Sequence, residues 1–194
     1  TNLYQLTDMF KTGDLPLVTA LGTMALILVG LGFKVSIVPF HFWAPDVYEG
    51  APTPVAGFLS TASKAAGFAV LLRLFFVAFS GFAVSWTAVL AVLAAITMTV
   101  GNLLALPQTN IKRLLAFSSV AHAGYAMIGV IAFTPLGAAS VVFYLAAYIA
   151  TNLLAFGIVM AFSKVTGLED VKDYSGMSRR APWLGLMMLA AFLS

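Results

Sequence analysis

Residues 15–43, LPLVTALGTMALILVGLGFKVSIVPFHFW, form an apolar run that carries a single lysine, Lys34, close to its end. The run is longer than the roughly 20 residues that cross a bilayer as an α-helix. A second lysine, Lys64, lies ten residues after Pro54 in the next apolar run. A charged amine is costly in hydrocarbon, so an intramembrane lysine usually faces a protein interior or a wet cavity on an ion path. The two runs therefore predict membrane helices, and the two lysines predict an ion pathway.

The composition of the chain is typical of a membrane protein. Hydrophobic residues make up 61% of the sequence, charged residues make up 9%, and the mean hydropathy is +1.01. A soluble domain has about 25% charged residues. Because the sequence has no cysteine, thiolate zinc sites, thiolate-bound iron–sulfur clusters and disulfides are excluded. A net charge of only +3 does not favour nucleic acid as a partner, and no nucleotide-binding motif is present.

Five complete apolar segments and the start of a sixth are predicted to span the membrane. They cover residues 15–43, 53–78, 82–106, 111–133 and 136–163, and then residues from 182 onward. Because lipid offers no partner for free backbone groups, these segments must be helices. The predicted fold is an all-α, polytopic transmembrane helix bundle that forms a single domain over residues 1–194. We expect this domain to be an internal fragment of a longer chain.

The first segment contains residues that weaken a helix. Gly30 and Gly32 precede Lys34, and Pro39 follows it without an N–H group to donate. One interpretation is an ordinary proline kink. The other is an interrupted helix of the kind that lines ion sites in transporters. The residues leave both interpretations open.

The distribution of cations predicts the topology. Six cations fall in the loops at one end of the predicted segments: Lys112, Arg113, Lys164, Lys172, Arg179 and Arg180. The opposite side holds Lys11 and, near the end of its helix, Arg73, which could snorkel there. The positive-inside rule therefore places the six-cation side, together with a turn at residues 44–51, in the cytoplasm. Trp43 and Tyr48 suit an aromatic belt at that interface.

Lys34, Lys64 and His122 are predicted to reach one layer near the middle of the membrane. Counted from the cytoplasmic end of each helix, they lie about 14, about 15 and about 18 Å deep. No Asp or Glu lies within a predicted span. Burial without a carboxylate partner favours the neutral amine, which can then exchange protons. Snorkelling to the interface is the alternative, but the depth exceeds the reach of a lysine side chain.

Further polar residues are candidates for the same pathway. His41 follows Lys34 by seven residues and shares its face if the helix is continuous. His41 could serve in a proton relay or form an interfacial hydrogen bond, and His122 could serve in the relay or be a core histidine. The fifth segment carries a polar stripe that either holds water or bonds a neighbouring helix, formed by Tyr144, Tyr148, Thr151 and Asn152.

Several strings of this sequence are characteristic enough to indicate a family. They are Phe33-Lys34, Val38-Pro39-Phe40-His41, WAPDVYEGAPTP at 43–54, SKAAG at 63–67, NIKRLLAFSS at 110–119 and TNLLAF at 151–156. Together they resemble the antiporter-like membrane subunits of respiratory complex I. The string at 43–54 most resembles the subunit N branch, which also occurs in plastid and cyanobacterial NAD(P)H dehydrogenase-like complexes. Multi-subunit sodium/proton antiporters share the lysine and Pro-Phe-His pattern but usually differ in that string.

The resemblance implies a fold with two inverted repeats, each containing a broken helix. It implies that Lys34 is the broken-helix lysine, that Lys64 is the central lysine of the next helix, and that His41 and His122 belong to the proton relay. The intramembrane glutamate usual in the family has no counterpart here, and a second broken-helix lysine is expected beyond Ser194. No metal or cofactor is expected on this chain.

The implied function is proton translocation coupled to quinone reduction elsewhere in an NADH:quinone oxidoreductase. NADH, FMN, iron–sulfur clusters and quinone are expected in partner subunits, so the chain is part of an enzyme but holds no redox centre. Its expected partners are other membrane subunits of complex I, the lipid bilayer and protons, in a bacterial inner membrane or an equivalent organelle membrane. The alternatives are a subunit of a sodium/proton antiporter without redox coupling and a purely structural membrane subunit.

Overall fold

The computed structural model describes residues 17–193 and, before them, only Leu3, Gln5, Thr7 and Met9. The α-helices in the continuous range are α1 (Leu17–Val35), α2 (Trp43–Gly50), α3 (Thr53–Ser60), α4 (Ala62–Arg73), α5 (Ala83–Ala105), α6 (Ile111–Ile131), α7 (Pro135–Thr166), α8 (Met177–Arg180) and α9 (Pro182–Leu193). A π-helical turn, Leu74–Ala78, continues α4, and short 3₁₀ turns occupy Ser80–Phe82 and Val171–Tyr174. Lys11, one of the cations in the topology prediction, lies outside the described residues.

Five helical stretches are long and apolar enough to cross a membrane. They are Val18–Val35, Thr53–Ala78, Trp86–Ala105, Ile111–Ile131 and Pro135–Thr166. Among the described residues no β-strand forms, and a single isolated bridge joins Asn110 to Asp170. The prediction of an all-α, polytopic membrane fold is confirmed.

Side-chain caps and a glycine set ends of α6 and α7. The Asn110 side chain accepts hydrogen bonds from the first free N–H groups of α6, which otherwise have no partner within the helix. Thr134 caps α7 in the same way, and Pro135 occupies its first position. α7 ends where Gly167 adopts a φ of 71°, a conformation that glycine reaches without steric cost.

The first predicted segment is not one continuous helix. α1 ends at Val35, Ser36 adopts a φ of 62°, and the Val38–Pro39 peptide bond is cis. The interrupted-helix interpretation is therefore correct. Lys34 and His41 would share a face only on a continuous helix, and this condition is not met. The predicted cytoplasmic turn at 44–51 is largely the short helix α2.

Groups from other parts of the chain pair the backbone that this interruption frees. Trp43 Nε1 donates to the carbonyl of Phe33 at 2.8 Å. The N–H of Val38 donates to Thr97 Oγ1 on α5 at 3.1 Å. Thr97 is completely buried, so this hydrogen bond satisfies a backbone donor that water cannot reach.

A second interruption, at Thr61, separates α3 from α4. This interruption was not predicted from the sequence. The hydroxyl groups of Ser60 and Thr61 both donate to the carbonyl of Gly57, at 2.9 and 2.8 Å. The N–H of Thr61 instead reaches Phe58 O at 3.3 Å. Hydroxyl groups that take over a backbone carbonyl in this way bend or interrupt a helix. Lys64 therefore lies one turn after a break.

α5 and α6 approach each other closely at Gly101. A Cβ atom at Gly101 would lie 2.6 Å from the backbone nitrogen of Ala121, a distance that real Cβ atoms do not adopt. A core of fully buried side chains also joins α5 and α6 to α4 and the π-helical turn that follows it: Phe68, Leu71, Phe75, Leu90 and Met127. α5 and α6 thus form a rigid unit against which α4 packs.

Ion pairs join α6 to α2 and to the loop after α7 at one end of the bundle. Arg113 NH1 lies 2.6 Å from Asp46 Oδ1 and 2.9 Å from Glu49 Oε2, and so ties α6 to α2. Lys112 Nζ lies 2.9 Å from Glu169 Oε2 and so ties α6 to the loop after α7. We call this end, defined by these five residues, the cation-rich end.

Thr97→Val should destabilise the protein, because it leaves the buried N–H of Val38 without a partner at a cost of about 1–3 kcal/mol. Thr99→Val is the matched control, because the exposed Thr99 hydroxyl bonds only to Ala95 O of its own helix. Thermal unfolding of the detergent-purified full-length protein measures both. Equal midpoints for the two variants would contradict the assigned role of Thr97.

Gly101→Ala should also destabilise the protein, by about 1–3 kcal/mol, because the new methyl group would overlap the α6 backbone. Gly157→Ala on α7 is the control, since a Cβ atom there meets nothing within 4 Å. The expected result is a lower unfolding midpoint for Gly101→Ala alone. A wild-type midpoint would show that α5 and α6 are not packed this closely.

Candidate functional site

Lys64 lies at the centre of the candidate site. Its side chain extends from α4 and is only 2% exposed. Its Nζ atom donates to both the backbone carbonyl and the hydroxyl oxygen of Ser119 on α6, each at 2.5 Å. Both acceptors are neutral, so they solvate the amine without an opposite charge that would hold it in the ammonium form.

Two tyrosines surround Ser119. Tyr48 extends from α2 and Tyr148 from α7, and both hydroxyl groups lie beside the Ser119 side chain. Both hydroxyl oxygens are buried and have no hydrogen-bond partner among the residues that the structure describes. The prediction that Tyr48 belongs to an interface belt is wrong: its side chain is fully buried, and its ring packs edge-on against Phe156.

His122 lies one helical turn after Ser119 on the same helix. Its Nδ1 atom is 2.6 Å from the hydroxyl oxygen of Tyr144 on α7. Its ring centroid is 5.0 Å from that of Tyr148 and 5.7 Å from that of Tyr125. His122 thus connects α6 with the polar face of α7 and stands next to the Lys64–Ser119 contact.

The side chains of the predicted polar stripe on α7 have two different surroundings: one contacts a neighbouring helix, and the others line a cavity. Tyr144 bonds a neighbouring helix through His122, as one of the two interpretations expected. The Thr151 hydroxyl donates to carbonyl groups of its own helix at 3.2 Å. Tyr148, Thr151 and Asn152 line a cavity of about 60 Å³ between α6, α7 and α9.

His122 also lines two further spaces beside the site. One of about 120 Å³ lies along α7, and a groove of about 650 Å³ separates α6 from α7. Water occupies about 30 Å³ per molecule in the liquid, so the 60 Å³ cavity, which Ser118, Thr151 and Asn152 line with polar groups, can hold water against His122. The site can therefore pass protons between an amine, an imidazole, hydroxyl groups and water.

The two candidates on the first segment lie apart from this cluster. Lys34 is exposed on α1, and its Cγ atom lies 3.4 Å from the position of a Cβ atom at Gly67, one turn beyond Lys64. His41 is 3% exposed, and within the described part of the chain its Nδ1 atom has no hydrogen-bond partner. Of the three groups predicted to meet at one depth, Lys64 and His122 lie together, whereas Lys34 reaches only the neighbouring turn of α4.

Neither Ser119 nor the role of Tyr48 was predicted from the sequence. The only available signal for Ser119 was a hydroxyl residue one turn before His122, and such residues are common in membrane helices. In the described part of the chain, no three His, Cys, Asp or Glu side chains cluster as a metal site requires.

A family model and curated relatives of this chain point to the same family. Residues 1–194 match the family described as NADH:quinone oxidoreductase/Mrp antiporter, TM. NADH-quinone oxidoreductase subunit N of Desulforamulus reducens is 52% identical over 171 residues, which are 88% of this chain and 36% of the relative. NAD(P)H-quinone oxidoreductase subunit 2 of a Synechococcus species is 50% identical over 175 residues, which are 89% of this chain and 33% of the relative. The chain thus spans about a third of the length of the curated relatives it matches.

Solved structures share the fold. The Mrp complex from a Dietzia species matches with a TM-score of 0.87 at 26% identity, over 98% of this chain and 35% of that chain. Respiratory complex I from Thermus thermophilus with bound aureothin matches with a TM-score of 0.65 at 42% identity, over 87% of this chain and 36% of that chain. Of these two structures, the Mrp complex has the higher TM-score, and complex I has the higher sequence identity.

Proposed function

Because the chain belongs to the NADH:quinone oxidoreductase/Mrp antiporter transmembrane family, we propose that it is part of a proton-translocating membrane subunit of an NADH:quinone oxidoreductase. The observation that carries this proposal is the amine of Lys64, which is buried at 2% exposure with only the neutral groups of Ser119 as hydrogen-bond partners. An amine in such surroundings can take up and release a proton without separating from a carboxylate.

The proposed relay consists of Lys64 and His122, with Lys34 and His41 on the interrupted first segment. Lys64 holds the proton, and His122 connects it through Tyr144 and the adjoining cavities. Lys34, whose stem reaches the turn after Lys64, would pass protons on to the part of the complex that covers α1. The residues of this chain move protons only, and the redox chemistry of NADH, FMN, iron–sulfur clusters and quinone is assigned to partner subunits.

Sequence identity favours the oxidoreductase over the antiporter. The relatives at about half identity carry the names of quinone oxidoreductase subunits, whereas the Mrp complex matches at 26%. The high TM-score with the Mrp complex supports the second candidate, a sodium/proton antiporter subunit. In the oxidoreductase, proton transport requires quinone reduction, and in the antiporter a sodium gradient alone drives it. The proposed location is a bacterial inner membrane or an equivalent energy-transducing membrane.

Lys64→Ala in the full-length subunit of the assembled complex should lower proton pumping about tenfold or more, because the buried proton carrier is lost. Lys34→Ala should also lower pumping. The measurement is the rate of proton uptake or release per quinone reduced, in vesicles that contain the purified complex. A native gel checks that each variant still assembles.

Lys164→Ala is the matched control, because Lys164 is an exposed lysine near the end of α7. It should pump as the unmodified complex does. Full proton pumping by the Lys64→Ala variant would contradict the proposed function and would favour a purely structural role for the subunit. Proton transport driven by a sodium gradient without quinone reduction would favour the antiporter.

A further inference from the structure

Gly67 lies where the end of α1 packs against α4. A Cβ atom at this position would lie 2.5 Å from Val35 Cγ1 and 3.4 Å from Lys34 Cγ. The first distance is shorter than real Cβ atoms adopt, so a side chain at this position has to displace its neighbours. The absence of a side chain at Gly67 therefore lets the Lys34 end of α1 lie directly on α4.

This contact lies beside Lys64. Gly67 follows Lys64 by three residues, so the two share one side of α4. The Cα–Cβ bonds of a helix tilt towards its N-terminus, so the space left by the absent Cβ atom opens over the turn that carries Lys64. The stem of Lys34 borders that space, and only bare backbone separates it from the Lys64 turn.

Val35 cannot swing away to make room for a larger residue at position 67. Its side chain is 0% exposed and belongs to the same buried cluster as Phe68 and Leu71. Valine is branched at Cβ, so few rotamers are open to it, and a closely packed interior leaves little space for another. A side chain added at position 67 would therefore push back the α1 backbone, and Lys34, the preceding residue, would move with it.

Hydrogen bonds hold the backbone on both sides of Lys34. Before it, the carbonyl of Phe33 accepts from Trp43 Nε1 at 2.8 Å. After it, the N–H of Val38 donates to Thr97 Oγ1 at 3.1 Å. The end of α1 is thus fixed along the chain by these two bonds, and across the bundle by its contact with α4.

Glycine is an unfavourable choice for the helix itself. It lies inside α4 (Ala62–Arg73), directly after Ala65 and Ala66, and glycine in a helix interior is less stable than alanine. The close approach of α1 gives this glycine a physical reason, because alanine at position 67 would overlap Val35.

We propose that Gly67 is a positioning residue of the proton relay, and that its missing side chain sets the distance between Lys34 and Lys64. This inference rests on the proposed function and adds a residue that itself carries no proton. Transfer between two groups depends on their distance and alignment, and a displacement of about 1 Å can change a rate about 100-fold. A residue one turn from the buried amine can therefore control the exchange without taking part in it.

The test uses the full-length subunit in the assembled complex, with proton pumping per quinone reduced as the readout. Gly67→Ala should lower pumping about tenfold, because the added methyl group moves Lys34 away from the Lys64 turn. Gly22→Ala is the matched control on α1, since a Cβ atom there meets nothing within 4 Å, and it should pump normally. A native gel checks that each variant assembles.

A second substitution separates spacing from a general loss of packing. Val35→Ala removes the methyl groups of Val35, including the one that would meet the new side chain, so Gly67→Ala/Val35→Ala should recover most of the lost pumping. Val35→Ala alone should lower the thermal unfolding midpoint, because it empties part of the core, yet it should pump better than Gly67→Ala. If Gly67 had only a structural role, pumping would follow stability across these variants.

The results separate this inference from the function on which it rests. Two outcomes would overturn the positioning role and leave the proposed function intact, in a complex that Lys64→Ala inactivates: normal pumping by Gly67→Ala, or a double variant that pumps no better than Gly67→Ala. Normal pumping by Lys64→Ala would overturn both. If Gly67→Ala does not assemble, Val35→Ile decides, because it adds one methylene to the same contact; it should lower pumping, and normal pumping would overturn the inference.

Discussion

The hydrocarbon of a membrane supplies no hydrogen-bond partner, so the backbone N–H and C=O groups of this bundle need partners within protein. Continuous helices meet this requirement along α5, α6 and α7. At the two interruptions, single side chains meet it: Trp43 and Thr97 pair the backbone after α1, and the hydroxyl groups of Ser60 and Thr61 occupy the carbonyl of Gly57. The bundle can therefore place irregular backbone, and with it function, only where such a side chain is available.

A similar requirement, for side-chain charge, distinguishes two buried lysines. Lys112 is 5% exposed and lies 2.9 Å from the carboxylate of Glu169, so it has an ion-pair partner. Lys64 is equally buried but bonds only to the neutral groups of Ser119. A charge that has a carboxylate partner is costly to remove, whereas an amine solvated by neutral dipoles can gain or lose its proton at a smaller cost. Lys112 thus stabilises the cation-rich end, and Lys64 has the surroundings of a proton carrier.

The sequence predicted how deep a side chain lies along its helix, but it did not predict which side of the helix that side chain faces. Counting residues predicted that Lys64 and His122 share a layer, and they do lie together. Ser119 and Tyr48 were missed because their roles depend on the rotation of α6 and α2 about their axes, which apolar segments without a clear polar face do not encode. The break at Thr61 was missed because Ser and Thr usually bond within a continuous membrane helix. Ser36 showed no sign of its positive φ, since non-glycine residues rarely adopt it.

The two interruptions flank the helices that carry the lysines, and this arrangement has a mechanical consequence. Ser36 adopts a strained φ of 62° two residues after Lys34, and the helix is interrupted at Thr61, three residues before Lys64. The rigid contact of the bundle lies elsewhere, where Gly101 of α5 meets α6. Rotation at either interruption would move an amine relative to Ser119 while the α5–α6 contact stays intact. Strain placed beside a site in this way lets the site change its geometry without unfolding the helices around it.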